Sequence, residues 1–382
     1  MILNKLRIKY KFFVAFFITF FALVAGIQAQ NVSLTINPDR TVVFRYADST
    51  AFSVKLFCDG ELKKETKTIL TEDYHSVRMT KDSDGIWTYT TPPMAPEVYT
   101  YQFERNGKRI CDPANPDSVR VHDERRSVFI IGGTPQTDMY LWDPLHGRLD
   151  TVEFQSSNEE KIRRIIVYTP PQYAESGQDY PVLYLLHGLN GNETAWMDRG
   201  RAAQVLDNLI VERRAKPMIM VMPDANPVSL IAQKENIGLL KNIFLYPAWN
   251  DLEFEHCYPE MDAYLSGLYR FSQKQGSRAV AGLSAGAKQS ANLANMYDST
   301  FSSIGLFSPV VGGKQLPNNN YAYYWIGGGT ADFFHHRINK FRKRMQRKHI
   351  LYTMYNTKGG HTWRNWRVYF TEYAQTLFWN QR

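Results

Sequence analysis

The sequence predicts two successive folding units: an antiparallel β-sandwich and, after it, a mainly parallel β-sheet flanked by helices. Length is the first indication, because 382 residues exceed what one domain usually contains. The second is a series of short alternating segments, separated by Asp-Gly and Asn-Gly turns, in the first part of the chain. The third is the alternation of apolar runs with amphipathic helices from Lys161 onward. The composition, 44% hydrophobic and 21% charged, excludes disordered, collagen-like and coiled-coil proteins.

Residues 1–29 have the pattern of a secretory signal peptide. Four cations precede the apolar run Phe12–Ile27, and Ile27-Gln28-Ala29 provides a small-residue cleavage site. The alternative is a membrane anchor, but a run of about 16 residues is shorter than the roughly 20 that span a bilayer. We therefore expect an exported protein, periplasmic or extracellular, without stable membrane insertion after cleavage. Cleavage would remove four positive and no negative charges, so the net charge would fall from +8 to +4.

Residues 30–125 are predicted to form the β-sandwich. Its strands are expected at Val32–Ile36, Thr41–Tyr46, Ser53–Phe57, Ile86–Thr90 and Val98–Phe103. Asp59-Gly60 and Asn106-Gly107 provide hairpin turns, and residues 126–150 are interpreted as a linker. Two of the three cysteines, Cys58 and Cys111, lie in this unit, where they could form a disulfide in an oxidising compartment or remain buried thiols.

Residues 151–382 are predicted to form the α/β unit. Continuous apolar runs indicate strands buried on both faces, at Ile165–Tyr168, Val182–Leu186, Met218–Met222, Ala279–Ala281, Ile304–Phe307, Tyr324–Ile326 and Leu351–Tyr355. Helices are expected over Thr194–Arg213 and Glu253–Gln275. A C-terminal helix is expected because aromatic and apolar residues recur there at spacings of three and four, namely Trp363, Trp366, Phe370, Tyr373 and Leu377.

The segment Gly282-Leu283-Ser284-Ala285-Gly286 lies between a predicted strand and a predicted helix. This context is typical of a nucleophile elbow, in which a serine is held in a strained turn with its hydroxyl exposed. The small residues at 282 and 286 are needed because the backbone crowds itself in such a turn. A G-x-S-x-G pattern alone also occurs in ordinary tight turns, so the flanking strand and helix make Ser284 the candidate nucleophile.

A serine hydroxyl needs a base, and the base needs an orienting carboxylate. Of the nine histidines, His361 lies after the last predicted strand and before the last helix, where a loop can present it beside Ser284. Asp332 follows the strand at Tyr324–Ile326 and gives the chain order Ser, Asp, His that this architecture uses. The alternative for Asp332 is a helix N-cap.

Backbone N–H groups are expected to stabilise the oxyanion. One donor is Ala285, directly after the nucleophile. The second is Leu189, in the loop His187-Gly188-Leu189-Asn190-Gly191 that follows an early strand. We expect His187 to shape this loop rather than to transfer protons. No His/Cys cluster has the spacing of a zinc site, and no phosphate-binding glycine loop with its lysine is present, so no cofactor or metal is predicted.

These motifs together resemble carbohydrate esterase family 1, which contains feruloyl and acetyl xylan esterases and is related to the enterochelin esterases. The resemblance covers about Met139 to the C-terminus. It depends on the Ser284 elbow together with Tyr184-Leu185-Leu186-His187-Gly188, Gly305-Leu306-Phe307-Ser308 and Gly359-Gly360-His361-Thr362-Trp363. The N-terminal part, with Asp112-Pro113-Ala114-Asn115-Pro116, is similar to early-set sandwiches related to family 48 carbohydrate-binding modules.

The resemblance implies an α/β-hydrolase fold and a two-step hydrolysis through an acyl-enzyme on Ser284, with no metal or organic cofactor. The implied substrates are feruloyl or acetyl esters of plant cell-wall polysaccharides or oligosaccharides. Ala285 stands where the family usually has Met, which leaves the acyl group open. The sandwich either binds glycan or packs against the catalytic domain, and we favour packing because no aromatic platform is evident in its sequence.

Two other functions are compatible with the sequence. One is an exported esterase of ferric siderophores, for which the basic run Arg337–Lys348 could attract an anionic substrate. Its apolar positions have helical spacing, so a solvated helix face is the simpler interpretation. The other is a noncatalytic glycan-binding protein on a hydrolase scaffold, against which the complete Ser-Asp-His set argues. A nucleic-acid partner is not expected, because no recognition motif is present and export would separate the protein from nucleic acid.

Overall fold

The computed structural model describes residues 33–59, 75–121, 124–141, 145–157, 162–189, 191–226, 253–318 and 322–379. The predicted signal peptide at 1–29 lies outside the described residues, as does Asn190 of the predicted oxyanion loop. The chain divides into two compact units. Of the described residues, the first unit contains those up to Val119 and those of Arg125–Ile131, and the second contains those of Arg120–Glu124 and those from Gly132 onward.

The first unit contains two antiparallel sheets, as the alternating sequence predicts. One has the order β1-β2-β6-β5, and the other has the order β4-β3-β7-β10-β9, with β8 paired to β7. The strands are β1 (Leu34–Ile36), β2 (Val42–Ala47), β3 (Val54–Cys58), β4 (His75–Arg78), β5 (Thr80–Lys81), β6 (Ile86–Thr90), β7 (Glu97–Arg105), β8 (Lys108–Ile110), β9 (Ser118–Val121) and β10 (Glu124–Ile131).

The core of the first unit is aromatic. Phe44, Tyr101 and Phe129 meet with ring centroids 5.0 to 5.7 Å apart. Cys58 is buried in β3, and Cys111 is partly exposed and donates from Sγ to the Arg125 carbonyl at 3.0 Å. Neither cysteine is part of a disulfide, so the structure favours the buried-thiol interpretation for Cys58.

The predicted linker at 126–150 is wrong at both ends. Residues 124–131 form β10, which pairs with β7 and buries Val128, Phe129 and Ile131 in the sandwich. At the other end, residues 148–155 form a strand of the second unit. The prediction failed because charged residues precede and interrupt these apolar positions, and only the neighbouring strands show that the apolar side chains face a core.

The second unit is built on an eight-stranded sheet of order β11-β12-β14-β13-β15-β16-β17-β18. The pairs β11–β12 and β12–β14 are antiparallel, and the remaining five pairs are parallel. The strands are β11 (Arg148–Gln155), β12 (Ile162–Thr169), β13 (Val182–Leu186), β14 (Ile219–Pro223), β15 (Arg278–Leu283), β16 (Ser303–Phe307), β17 (Tyr323–Gly329) and β18 (Tyr352–Thr357).

Helices flank this sheet, which confirms the predicted α/β-hydrolase fold preceded by an antiparallel sandwich. They are α1 (Pro135–Asp138), α2 (Tyr173–Ser176), α3 (Ala195–Asp198), α4 (Ala202–Val211), α5 (Glu253–Leu268), α6 (Ala285–Met296), α7 (His335–Arg347) and α8 (Trp363–Ala374), with a 3₁₀ turn at Gly313–Gln315. None of the helices within the described ranges combines the length and the apolar character needed to cross a membrane.

Two helix predictions need correction. The segment 194–213 is not one helix, because the chain turns between α3 and α4, where Arg201 is left-handed at φ 53° and Gly200 lies against Trp196. A Cβ on Gly200 would come within 2.5 Å of the Trp196 ring. The helix predicted to reach Gln275 ends at Leu268, because the following residues turn so that Phe271 is buried and forms a bridge with Tyr180.

Candidate active site

Ser284 lies in the sharp turn between β15 and α6. Its backbone has φ 54° and ψ −112°, a conformation that residues with a side chain rarely adopt. The turn is held because the Ser284 N–H donates to the Phe307 carbonyl at 2.8 Å, at the end of the adjacent strand β16. The strain places the hydroxyl at the N-terminus of a 12-residue helix, where negative charge is stabilised.

The glycines on either side of Ser284 are required by close packing. A Cβ on Gly282 would come within 2.4 Å of the Gly286 carbonyl carbon, which lies across the turn. A Cβ on Gly286 would come within 2.2 Å of the His187 carbonyl oxygen. Both neighbours are backbone atoms that cannot swing away, so the sequence pattern reflects the sterics of the turn.

His361 and Asp332 lie at the carboxyl ends of neighbouring parallel strands. Asp332 follows β17, and His361 follows β18. His361 Nε2 is 2.9 Å from Ser284 Oγ, and His361 Nδ1 is 3.0 Å from Asp332 Oδ2. The structure therefore brings together the three side chains that the sequence singled out, in the order hydroxyl, imidazole, carboxylate.

Asp332 is buried and held in its ionised form. Burial alone would raise the pKa of its carboxyl. The hydrogen bond and charge interaction with His361, together with the Ser308 side chain and the Phe334 N–H, outweigh burial and leave the pKa below its usual value. The Phe334 N–H adds a hydrogen bond to Oδ1 at 2.8 Å. The same carboxylate thus bonds within the turn before α7 and to His361. The N-cap of α7 is Phe334, so Asp332 is not the helix N-cap considered as its alternative.

Three aromatic rings surround the His361 imidazole. Their centroids lie 4.5 Å (Phe333), 5.3 Å (Phe334) and 5.0 Å (Trp366) from its own. Trp366 is buried, whereas 47% of Phe333 is exposed. The imidazole is therefore held at its edges by Ser284 and Asp332 and on its flanks by rings, which restricts its rotation.

The predicted oxyanion donors, Ala285 and Leu189, belong to two different elements. Ala285 is the first residue of α6, so its N–H has no intrahelical acceptor. The loop after β13 lies against the elbow, since a Cβ on Gly188 would be 3.3 Å from Ser284 Cβ. Leu189 follows Gly188 directly and is half-buried.

His187 anchors this loop, as the sequence suggested. It is 1% exposed, and its Nε2 accepts from the Ala225 N–H at 3.0 Å while its Nδ1 contacts the Gly188 carbonyl at 2.7 Å. With Nε2 as acceptor, the ring carries its proton on Nδ1 and donates to Gly188. His187 is thus engaged with backbone and lies outside the Ser284–His361–Asp332 chain.

Sequence reasoning missed the segment that ties the two oxyanion elements together. Gln289 on α6 donates to the Ala225 carbonyl at 2.7 Å, and Asn226 donates to the Gly191 carbonyl at 2.9 Å. Ala225 therefore links the loop after β13 to α6, the helix that follows Ser284. A buried glutamine one turn into a helix was the available signal, but its partner comes from a distant part of the sequence.

In this arrangement Ser284 Oγ can attack a carbonyl carbon while its proton passes to His361 Nε2. Over the described residues, no group of three or more His, Cys, Asp or Glu side chains is placed to hold a metal ion. A serine hydroxyl that is hydrogen-bonded to an imidazole, itself bonded to a carboxylate, is suited to acyl transfer.

Comparison with protein families gives an independent view of the same unit. Residues 156–325 match the Esterase family model, which is described as "Putative esterase". This region contains Ser284 and ends before Asp332 and His361. This family match supports an ester hydrolase.

The curated relative "Endo-1,4-beta-xylanase/feruloyl esterase" from Xylanibacter ruminicola is 27% identical over 309 residues, which is 78% of this chain. The chain spans 41% of that relative's length.

Solved structures support the fold. A CE1 ferulic acid esterase from the anaerobic fungus Anaeromyces mucronatus is 20% identical with a TM-score of 0.52, covering 61% of this chain and 91% of its own. The enterobactin esterase from Shigella flexneri is 15% identical with a TM-score of 0.59, covering 88% of this chain and 92% of its own. At these identities the likeness concerns the architecture and not the substrate.

Proposed function

We propose that this protein hydrolyses feruloyl or acetyl esters of plant polysaccharides such as xylan, with Ser284, His361 and Asp332 as its catalytic residues. The observation that carries the proposal is the continuous hydrogen-bonded path from Ser284 Oγ through His361 to Asp332, with steps of 2.9 and 3.0 Å. It begins at a serine whose strained backbone holds the hydroxyl in place.

The first half-reaction forms an acyl-enzyme. Ser284 Oγ attacks the ester carbonyl carbon while its proton passes to His361 Nε2, and the Asp332 carboxylate stabilises the resulting imidazolium. The carbonyl oxygen becomes an oxyanion that accepts from the N–H groups of Ala285 and Leu189. Collapse of this intermediate breaks the bond to the alcohol, whose oxygen takes the proton from His361 Nε2.

The second half-reaction releases the acid. Water gives a proton to His361 Nε2 and attacks the acyl carbon, and a second oxyanion forms in the same position. Ser284 Oγ leaves and recovers the proton from His361, so the enzyme returns to its starting state. Carboxylic acid and alcohol are the only products, and no oxidant, reductant or metal takes part.

The substrate class rests on relatives and on the N-terminal sequence. The Xylanibacter ruminicola relative bears both xylanase and feruloyl esterase in its name and aligns with 78% of this chain. The cation-then-apolar pattern of residues 1–29 supports export, which would bring the enzyme to polysaccharide outside the cytoplasm. The N-terminal sequence of the secreted protein tests export directly, since cleavage after Ala29 is expected.

A siderophore esterase is the second candidate. The Shigella flexneri enterobactin esterase aligns with 88% of this chain, so the likeness extends over both units. Helix α7, which begins three residues after Asp332, carries six Lys or Arg residues and no acidic residue, a charge pattern that would attract an anionic substrate.

Turnover of methyl ferulate, acetylated xylan and a siderophore ester separates these candidates. We expect hydrolysis of one of the first two, with loss of about 10³-fold or more in kcat for Ser284→Ala. Ser266→Ala is the matched control, because that exposed hydroxyl bonds only within its own helix α5. Preference for the siderophore ester would replace the polysaccharide proposal. Absence of turnover on every ester would favour a noncatalytic glycan-binding protein, and full activity of Ser284→Ala would refute the site.

A further inference from the structure

Phe333 is an exposed aromatic side chain that contacts the candidate base. Among the large apolar residues exposed in the described part of the chain, it is the one whose ring packs on His361, with centroids 4.5 Å apart. Its 47% exposure contrasts with Trp366, which contacts the same imidazole and is buried. An apolar surface left open next to reacting groups is a place where a ligand gains by covering it.

The Phe333 ring has a fixed position. It packs on Phe334 with centroids 4.3 Å apart, and the Arg337 guanidinium lies over the Phe334 ring at 5.6 Å. The backbone of this turn is fixed by Asp332, which accepts from the Phe334 N–H. Because Asp332 also orients His361, the exposed ring and the base are held by the same carboxylate.

The direction of the reaction decides which part of the ester meets this ring. The acyl carbonyl must lie between Ser284 Oγ and the N–H donors of Ala285 and Leu189, on the side of the loop after β13. The alcohol oxygen must come within hydrogen-bonding distance of His361 Nε2, which protonates it. The alcohol therefore leaves past His361, and the exposed ring of Phe333 packs on that imidazole.

We propose that Phe333 is a specificity-determining residue that stacks on the sugar ring of the leaving alcohol. The apolar C–H face of a sugar fits the electron-rich face of a phenyl ring, whereas a methyl alcohol is too small to cover it. The inference rests on the proposed function, and it deepens that function by assigning the polysaccharide side of the ester to a named surface.

The test compares esters that share an acyl group and differ in the alcohol. Feruloyl arabinose is paired with methyl ferulate, and acetyl xylobiose with methyl acetate, using the full chain. The readout is the ratio of kcat/KM for the sugar ester to that for the methyl ester. We expect this ratio to exceed one in the wild type and to fall about tenfold in Phe333→Ala, through KM of the sugar ester. Phe333→Trp should keep most of the wild-type ratio.

Trp379→Ala is the matched control. Trp379 is 45% exposed. It follows the C-terminal end of α8, whereas His361 precedes the N-terminal end, and this 12-residue helix is about 18 Å long. The kcat/KM ratio of sugar ester to methyl ester in Trp379→Ala should equal that of the wild type. The acid limb of the pH–rate profile should be the same in Phe333→Ala as in the wild type. That result would show that His361 is undisturbed, so the lower kcat/KM ratio would come from weaker binding of the sugar alcohol.

Failure of the subsite and failure of the proposed function give different results. An equal loss on both members of a pair, or an unchanged ratio, overturns the subsite while ester hydrolysis stands. A wild-type ratio of one or less also overturns it. Absence of turnover on all four esters, with no difference between wild type and Ser284→Ala, overturns the proposed function and the subsite with it.

Discussion

Each of the two units buries an aspartate, and the contrast between them shows what distinguishes a structural carboxylate from a candidate catalytic one. Asp112 in the sandwich is 3% exposed and accepts from the Tyr101 hydroxyl at 2.6 Å and the Ala114 N–H at 2.9 Å. Asp332 in the α/β unit is 4% exposed and bonds to His361. Burial is the same in both.

The difference lies in where the hydrogen bonds lead. From Asp112 they lead to a backbone N–H and to the buried Tyr101, whose hydroxyl also accepts from Asn115 at 3.0 Å and whose pKa is raised by burial and by the neighbouring carboxylate. From Asp332 they continue through an imidazole to Ser284, a hydroxyl on a strained backbone. A buried carboxylate therefore indicates function only when its partner is a base with a second, reactive neighbour.

Asparagine in place of each aspartate gives the strongest test of this contrast. Asp332→Asn should lower kcat/KM on the best ester substrate roughly 10³- to 10⁴-fold, because a neutral amide cannot hold the required tautomer of His361 or stabilise its cation. Asp112→Asn should keep kcat/KM and lower the free energy of unfolding by about 1–3 kcal/mol, since a buried hydrogen bond is weakened. Steady-state kinetics and denaturant unfolding measure the two quantities. If Asp112→Asn were the variant that lost activity, the contrast would fail.

Glycine substitutions test whether the elbow differs from an ordinary glycine position. In Gly286→Ala the new Cβ would lie 2.2 Å from the His187 carbonyl oxygen, so we expect a loss of about 2–3 kcal/mol in the free energy of unfolding. Gly267→Ala is the control, because nothing lies within 4 Å of its added Cβ in α5. That variant should gain about 0.5–1 kcal/mol. Equal stability of the two variants would contradict the crowding argument.

The link between the oxyanion elements predicts a smaller effect. Gln289→Leu leaves the Ala225 carbonyl without its donor, so the loop after β13 and the start of α6 lose a common tether. We expect kcat to fall about tenfold with little change in KM, since the donors act on the transition state. Gln273→Leu, which removes a local bond to the Phe271 carbonyl, should behave like the wild type. A change confined to KM would assign Gln289 to substrate binding instead.

The smallest predicted effect is on stability at low pH. The pKa of Asp332 is lower in the folded protein than its usual value of 3.8, so the folded state binds fewer protons than the unfolded chain. Its carboxylate therefore stabilises the fold above that value, and the contribution is lost as pH falls through the lowered pKa. The Tm difference between wild type and Asp332→Asn should be constant near neutral pH and shrink on acidification below about pH 4. A Tm difference that widened on acidification would contradict a lowered pKa of Asp332.

The sequence was sufficient for features that depend on local chain geometry. The Gly-x-Ser-x-Gly turn needs small residues next to Ser284, and that requirement is written in adjacent positions. The alternation of apolar strands and helices gave the α/β architecture, because parallel strands buried on both faces are continuously apolar. His361 and Asp332 could be selected because each follows a predicted strand at the edge where the carboxyl ends of parallel strands meet.

Features that depend on distant partners could not be obtained in this way. Most of the strand at Glu124–Ile131 falls in the predicted linker 126–150, because its burial is provided by β7. The helix predicted to reach Gln275 ends early, because Phe271 forms a backbone bridge with Tyr180. The tether at Gln289 and the ring contact between Phe333 and His361 also join residues far apart in the chain.

The amino-acid sequence by itself thus determined the two-unit architecture, the elbow and the choice of three candidate catalytic side chains, since these follow from periodicity, strand ends and the steric needs of one turn. Only the tertiary structure decided which polar groups hold the oxyanion loop and which aromatic surface stays open beside His361. The physical reason is that side-chain exposure and hydrogen-bond partners are properties of the packed chain, and no single segment carries that information.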